Sequence, residues 1–138
     1  MTICTNYRDQ CLGEVDQDLV LLSPYGEIVV REWNRIPGRH PCVTLDEWIV
    51  MPDHMHGILW LSGSGFSQED EHRAALGVVI GRFKSKSTKS IRTSGYLGFD
   101  WQTRFHDRIL RSPEELERAR IYIRQNPVRW AARKKAGS

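Results

Sequence analysis

The feature that most constrains this chain is a pair of apolar runs meeting at a proline. Residues 43–51 read as a strand through Val43, Leu45 and the Trp48-Ile49-Val50 group, and residues 54–61 read as a second strand. Pro52-Asp53 makes a turn between them, so 43–61 is expected to form a β-hairpin and commits the chain to an antiparallel sheet. The second strand opens with His54-Met55-His56. Alternate residues of a strand project from one face, so the two imidazoles point together and Met55 points away. The apolar run from Ile58 to Leu61 reads as buried, which predicts a central strand.

The rest of the chain supplies partners for that hairpin. Residues 3–5 look like the end of a strand that begins very near the chain start, 8–18 are polar and turn-like, and 19–22 suit a hairpin arm. Ser23-Pro24 reads as N-cap and first helical position, Ile28, Val29, Trp33 and Ile36 recur at helical spacing over 25–36, and Pro37-Gly38 is expected to stop that helix. Residues 62–72 are expected to be a flexible loop inside the domain. A helix is expected over about 73–91, with Leu76, Val79, Ile80 and Phe83 as its apolar positions. Residues 101–110 read as extended, given Trp101, Phe105, Ile109 and Leu110. Ser112-Pro113-Glu114-Glu115 is a capping box that opens the last helix, whose buried stripe is Leu116, Ala119 and Ile123. Asn126-Pro127 ends or kinks it, and 128–138 reads as a basic tail. This order of elements is compatible with an α+β fold built on one antiparallel sheet.

A chain of 138 residues, 40% apolar and 27% charged, suits one globular domain, 1–138. No stretch approaches the roughly 20 apolar residues of a membrane helix, and no signal peptide is apparent, so no membrane partner is expected. Cys4, Cys11 and Cys42 are odd in number and lack C-x-x-C spacing, which predicts reduced thiols in a cytoplasmic protein. Charge is divided unevenly. Residues 1–72 hold 4 Lys/Arg against 12 Asp/Glu, a net −8, and residues 73–138 hold 16 against 5, a net +11. Such asymmetry points to a polyanion partner for the basic half, or to two halves that neutralise each other.

Two imidazoles side by side can bind one metal ion, and a third ligand must come from elsewhere. His72 reads as solvated, His106 as a surface residue and His40 as loop, while Asp53 suits a cap of the hairpin turn. Tyr122 and Asn126 are four apart and share one helical face. An Asn oxygen suits a hard ion such as Mg²⁺ or Mn²⁺, and a Tyr beside a metal-bound phosphate can act as a nucleophile. An interfacial structural tyrosine is the competing reading.

These pieces together resemble the REP-associated tyrosine transposases, relatives of the single-tyrosine insertion-sequence transposases of the HUH class. The resemblance rests on "TICTNYRDQCLGEV" (2–15), "VMPDHMHGILWL" (50–61), "VVIGRFKSKSTKSI" (78–91) and "WQTRFHDRILRSPEELERARIYIRQNPVRWA" (101–131), in that order. It implies a ferredoxin-like antiparallel sheet with helices packed on one face. It implies a metal-dependent enzyme that cleaves and rejoins single-stranded DNA next to hairpins. Tyr122 would be the nucleophile, forming a 5′-phosphotyrosine link. His54, His56 and Asn126 would hold Mg²⁺ or Mn²⁺, with Gln125 the alternative third ligand because some relatives use Gln. Arg82, Lys84, Lys86, Lys89 and Arg92 on one helix, and Arg118, Arg120, Arg124 and Arg129 near the tyrosine, would contact phosphates. Trp101 and Trp130 are candidates to stack on bases, against a core role. Phe105-His106 stands where many relatives have two aromatics, which leaves Tyr122 without a nearby rival. Relatives usually carry more residues ahead of the first strand, so a shortened arm is expected. The resemblance allows a monomer or a homodimer, and a cytoplasmic, nucleoid-associated location. A domesticated hairpin-binding protein that cleaves little is the second reading, and a hydrolase using a metal-bound water the third.

Overall fold

The computed structural model describes residues 1–62 and 69–136. Strand β1 (Thr2–Cys4) pairs with β5 (His54–Leu61), and β5 pairs with β4 (Val43–Val50), both antiparallel. The order β1-β5-β4 makes the histidine strand central, as its apolar run predicts. The expected hairpin is present, with a bulge between Leu45 and Trp48. β2 (Gly13–Asp16) and β3 (Leu19–Leu22) form a separate two-stranded hairpin, so 13–16 is a strand where the sequence reads as turn. Gln17, at φ 57°, makes the tight connection.

Helix α1 (Pro24–Asn34) starts as predicted, with the Ser23 hydroxyl accepting from Gly26 N at 3.2 Å. Pro37-Gly38 does not stop the helical path. Both residues lie in a further turn, α2 (Ile36–Arg39), where Pro37 sits in the first turn and its missing N–H costs nothing. The Glu32 carboxylate is buried, and Arg35 and Arg39 pair with it at 2.8 and 3.0 Å across this junction. Helix α3 spans Glu69–Thr93. It therefore begins before the expected position, and residues 69–72 are helix instead of loop. The remainder of the predicted loop, 63–68, lies outside the described residues.

Residues 101–110 are not a strand. The segment runs antiparallel beside β1, joined by single bridges at Thr5–Trp101 and Thr2–His106. Between these bridges the Lys84 ammonium takes the carbonyls of Gln102 and Thr103, at 2.6 and 3.1 Å, and the ladder is interrupted. The segment still occupies the edge position of a β-α-β-β-α-β arrangement.

The sheet is covered on both faces, a correction to the one-faced packing the resemblance implies. On one side, α1 and α3 bury Ile28, Val29, Trp33, Val79, Ile80 and Phe83 with Met55. Gly57 projects the same way. A Cβ there would lie 2.5 Å from Trp33 Cζ2, so only glycine admits the indole. On the other side, α4 (Pro113–Arg124) and α5 (Asn126–Ala136) lie over the histidines. Two layers are needed because β5 is apolar on one side and carries Ile58 as well as the imidazoles on the other. The predicted basic tail is thus largely helix, and α5 packs against the β2–β3 hairpin. No described helix is long and apolar enough to cross a membrane.

Candidate active site

The strand register builds the site. Thr2 stands opposite His56 and Cys4 opposite His54, so all four side chains share one face of the sheet. The imidazole centroids are 4.8 Å apart. Each ring is held through Nδ1. His54 Nδ1 donates to Asp53 Oδ1 at 2.6 Å, and His56 Nδ1 meets Thr2 Oγ1 at 2.7 Å. Arg8 Nε in turn donates to Asp53 Oδ2 at 3.0 Å. Asp53 therefore orients His54 and does not merely cap the turn, a role its position beside the pair left unread. Tyr7 and Arg8 adopt successive left-handed conformations, φ 56° and 54°, which carry the Arg8 side chain back toward Asp53.

The second wall comes from the α4–α5 junction. Ser112 caps α4 by accepting from Glu115 N at 3.1 Å, and Glu115 returns a bond to Arg111 N at 2.7 Å. Pro127 has no N–H to donate, so the helix breaks at Gln125–Asn126. The Asn126 side-chain amide donates to the Tyr122 carbonyl at 2.8 Å, satisfying an acceptor of the helix end. That bond uses Nδ2 and leaves Oδ1 to accept from His56. At the β4 side, the bulge presents two acids to α4. Arg120 binds Asp46 through two bonds of 2.8 and 2.7 Å, and Arg124 meets Glu47 at 3.2 Å. Trp60 Nε1 adds a bond to Asp46 at 2.7 Å. These ion pairs join the acidic and basic halves of the chain.

One cleft of about 190 Å³ gathers the result. Thr2, Cys4, Arg8, His54, His56, Tyr122, Asn126, Trp130 and Arg133 line it. The structure thus brings together five of the residues singled out by sequence: His54, His56, Tyr122, Asn126 and Trp130. The Tyr122 ring stands edge-on to His56, with centroids 5.5 Å apart. Gln125 is exposed, accepts from Arg129 at 3.2 Å, and does not line the cleft. His106 is exposed, and His40 closes α2. A larger groove of about 940 Å³ adjoins the cleft and shares Thr2, His56 and Tyr122 with it. Arg73, His72, Arg108, Arg111 and Arg118 are among its lining residues.

The predicted phosphate contacts divide. Arg82, Lys86 and Lys89 are exposed, but on α3, across the sheet from the cleft. Lys84 is committed to backbone carbonyls, and Arg92 donates to the Phe99 carbonyl at 2.9 Å. Arg120 and Arg124 are ion-paired to β4, Arg118 is exposed, and Arg129 lies over Tyr122. Trp101 is core, bonded to Ser87 Oγ at 2.9 Å, whereas Trp130 lies 6.2 Å from His54, ring to ring. Sequence reasoning missed Arg8 and Arg133 as cleft residues; neither stands in a local pattern that marks it.

Electrostatics favour a neutral His56 imidazole. Burial lowers the His56 pKa to about 4, helped by His54 and the chain's amino group and opposed by a hydrogen bond with Asn126. Burial raises the Asp53 carboxyl, but hydrogen bonds from His54 and Arg8 outweigh it and hold the group below its ordinary value. An ionised Asp53 can only accept, so His54 Nδ1 carries a proton and Nε2 is the ring nitrogen turned away from that bond. A carboxylate behind one imidazole is the usual support of a metal-binding histidine. No three His, Cys, Asp or Glu side chains among the described residues converge on one point, so a third protein donor would be the Asn126 amide oxygen.

Comparison with known proteins defines the fold. No protein-family profile matches the chain. An uncharacterized protein of Haemophilus influenzae is 26% identical over 144 residues, covering 94% of this chain and 79% of the relative. A solved structure described as a REP-associated tyrosine transposase bound to a REP hairpin superposes with a TM-score of 0.62 at 22% identity. The match covers 93% of this chain and 64% of that one, so the chain spans slightly under two thirds of that neighbour's length. The chain is an α+β protein that shares the fold of a REP-associated tyrosine transposase.

Proposed function

We propose that this protein is a metal-dependent single-strand DNA endonuclease and transposase that cleaves and rejoins DNA beside hairpins. The observation that carries the reading is the convergence of His54, His56, Tyr122 and Asn126 on one cleft. The fold shared with a hairpin-bound tyrosine transposase supports it. His54 Nε2, the free nitrogen of His56 and Asn126 Oδ1 would hold Mg²⁺ or Mn²⁺. When bound, the ion neutralises charge on the attacked phosphate.

The chain's own residues do the rest. Tyr122 Oη attacks the phosphorus, a Tyr–O–P bond forms, and the P–O3′ bond breaks. The phenol loses its proton, and the departing 3′ oxygen leaves as a hydroxyl. The product is a 5′-phosphotyrosine, whose ester keeps the bond energy, so a 3′-OH can reverse the step without a nucleotide cofactor. Asp53 and Thr2 hold the imidazoles, and Arg8 and Arg133 supply positive charge at the cleft for the strand. Cleft geometry aligns the phenol with the phosphate.

The test is cleavage of labelled single-stranded hairpin DNAs with Mn²⁺, resolved on a denaturing gel. Wild type is expected to give a protein–DNA adduct that Tyr122→Phe and His56→Ala both abolish. Cleavage without adduct that survives Tyr122→Phe would replace the tyrosine by a metal-activated water. Binding with neither product would indicate a hairpin-binding protein without catalysis.

A further inference from the structure

Arg129 carries a role that the phosphate-contact reading does not give it. Its guanidinium carbon lies 4.4 Å from the centroid of the Tyr122 ring. One Nη atom donates to Gln125 Oε1 at 3.2 Å. Arg129 N also donates to the Gln125 carbonyl at 3.0 Å, so the helical turn itself sets the spacing between the two residues. The Tyr122 side chain is 42% exposed, and its hydroxyl has no hydrogen-bond partner among the described residues. Two ring contacts bear on its direction: His56, with centroids 5.5 Å apart, and the guanidinium. A phenol with two free torsions and no bond at its oxygen would otherwise sample several rotamers.

We infer that Arg129 is the positioning residue for Tyr122, holding the ring by cation–π contact while Gln125 anchors the guanidinium. The inference rests on the reading of Tyr122 as nucleophile. The α4–α5 break makes it possible. The Asn126 side chain ties α5 to the Tyr122 carbonyl, so α5 begins one residue after α4 closes and Arg129 returns over the ring. A planar, delocalised cation suits an aromatic face better than an ammonium does. The arrangement also assigns Gln125, which lies outside the cleft and otherwise has no task. Nearby Arg133, which lines the cleft, remains to meet the strand.

The test separates positioning from phosphate binding. Wild type, Arg129→Met, Arg129→Lys and Gln125→Ala would be compared on a fluorescein-labelled single-stranded DNA hairpin with a short flank and Mn²⁺. Two quantities are read: the single-turnover rate of adduct formation at saturating DNA, and Kd across a salt series. Arg129→Met is expected to slow adduct formation by about 10-fold or more, because small misplacements of a nucleophile are costly. Its Kd is expected to stay within about 2-fold and its salt slope to stay unchanged. Arg129→Lys should recover part of the rate, and Gln125→Ala should lose less than Arg129→Met. If Arg129→Met instead weakens binding, flattens the salt slope by about one and reacts normally at saturation, Arg129 is a phosphate contact and the inference is overturned. Unchanged rate and unchanged Kd overturn it too. Should Arg129→Met fail to fold, Arg129→Lys and Gln125→Ala carry the same comparison. A wild-type protein that binds the hairpin yet forms no adduct removes the nucleophile reading itself, which no result confined to the variants can do.

Discussion

The two faces of β5 are built to opposite rules. Met55 and Gly57 point toward α1 and α3, where Met55 is fully buried and Gly57 leaves room for one indole. His54 and His56 point toward α4 and α5, where each polar ring atom that is engaged has a named partner. One face is filled to contact; the other keeps a cleft of about 190 Å³. A period-two strand lets a single segment do both, because Met55 and Gly57 act on packing while His54 and His56 between them face the cleft.

That division makes quantitative predictions. Met55→Ala removes a wholly buried side chain and should cost about 2–5 kcal/mol in urea unfolding, while His54 and His56 stay in register. Gly57→Ala should cost about 1–3 kcal/mol, since the new methyl meets the Trp33 ring and something must shift. An unchanged midpoint would show that the indole moves freely. On the other face, Asp53→Asn takes the carboxylate from His54 and Arg8. Mn²⁺ affinity, measured by calorimetry, should fall about 10- to 100-fold. Equal affinity would mean that His54 needs no such support.

The smallest effect is expected where α4 is fastened to the sheet. The hydrogen bonds from Arg120 hold the Asp46 carboxyl well below its ordinary 3.8, against the pull of burial. A carboxyl lowered in the folded state stabilises the fold at pH values above that ordinary value, and the contribution is lost as pH falls below it. Tm should therefore drop less steeply below about pH 4 in Asp46→Asn than in wild type, with Asp53 still contributing to the slope. Identical acid profiles would show that the Asp46–Arg120 pair is too well solvated to matter.

Legibility followed local chemistry. The 43–61 hairpin, the common face of the histidines and the Ser112 cap were readable, because alternation, turn residues and capping are written in neighbouring positions. The convergence of Tyr122 and Asn126 on the histidines was an expectation from helical spacing plus resemblance. The cleft supports it, but spacing alone said nothing of the distance across the sheet. What failed depended on distant partners. Trp101 to Leu110 reads as a strand until Lys84, on another element, takes two of its carbonyls. Pro37 reads as a stop, yet it stands in the first turn of a new helix, where proline is tolerated. Helices on both faces could not be read from element order. The arginines show how far a charge finds its partner. Arg120 and Arg124 look like DNA contacts by charge, and find acids on a bulge more than 70 residues away.

The most direct measurement is to trap the protein on a single-stranded hairpin DNA with Mn²⁺, digest it with trypsin, and find by mass spectrometry which residue carries nucleotide. The modification is expected on the four-residue peptide that trypsin releases between Arg120 and Arg124, at Tyr122. Nucleotide on Tyr7, Tyr25 or Tyr96, or cleaved DNA with no modified peptide, would contradict it.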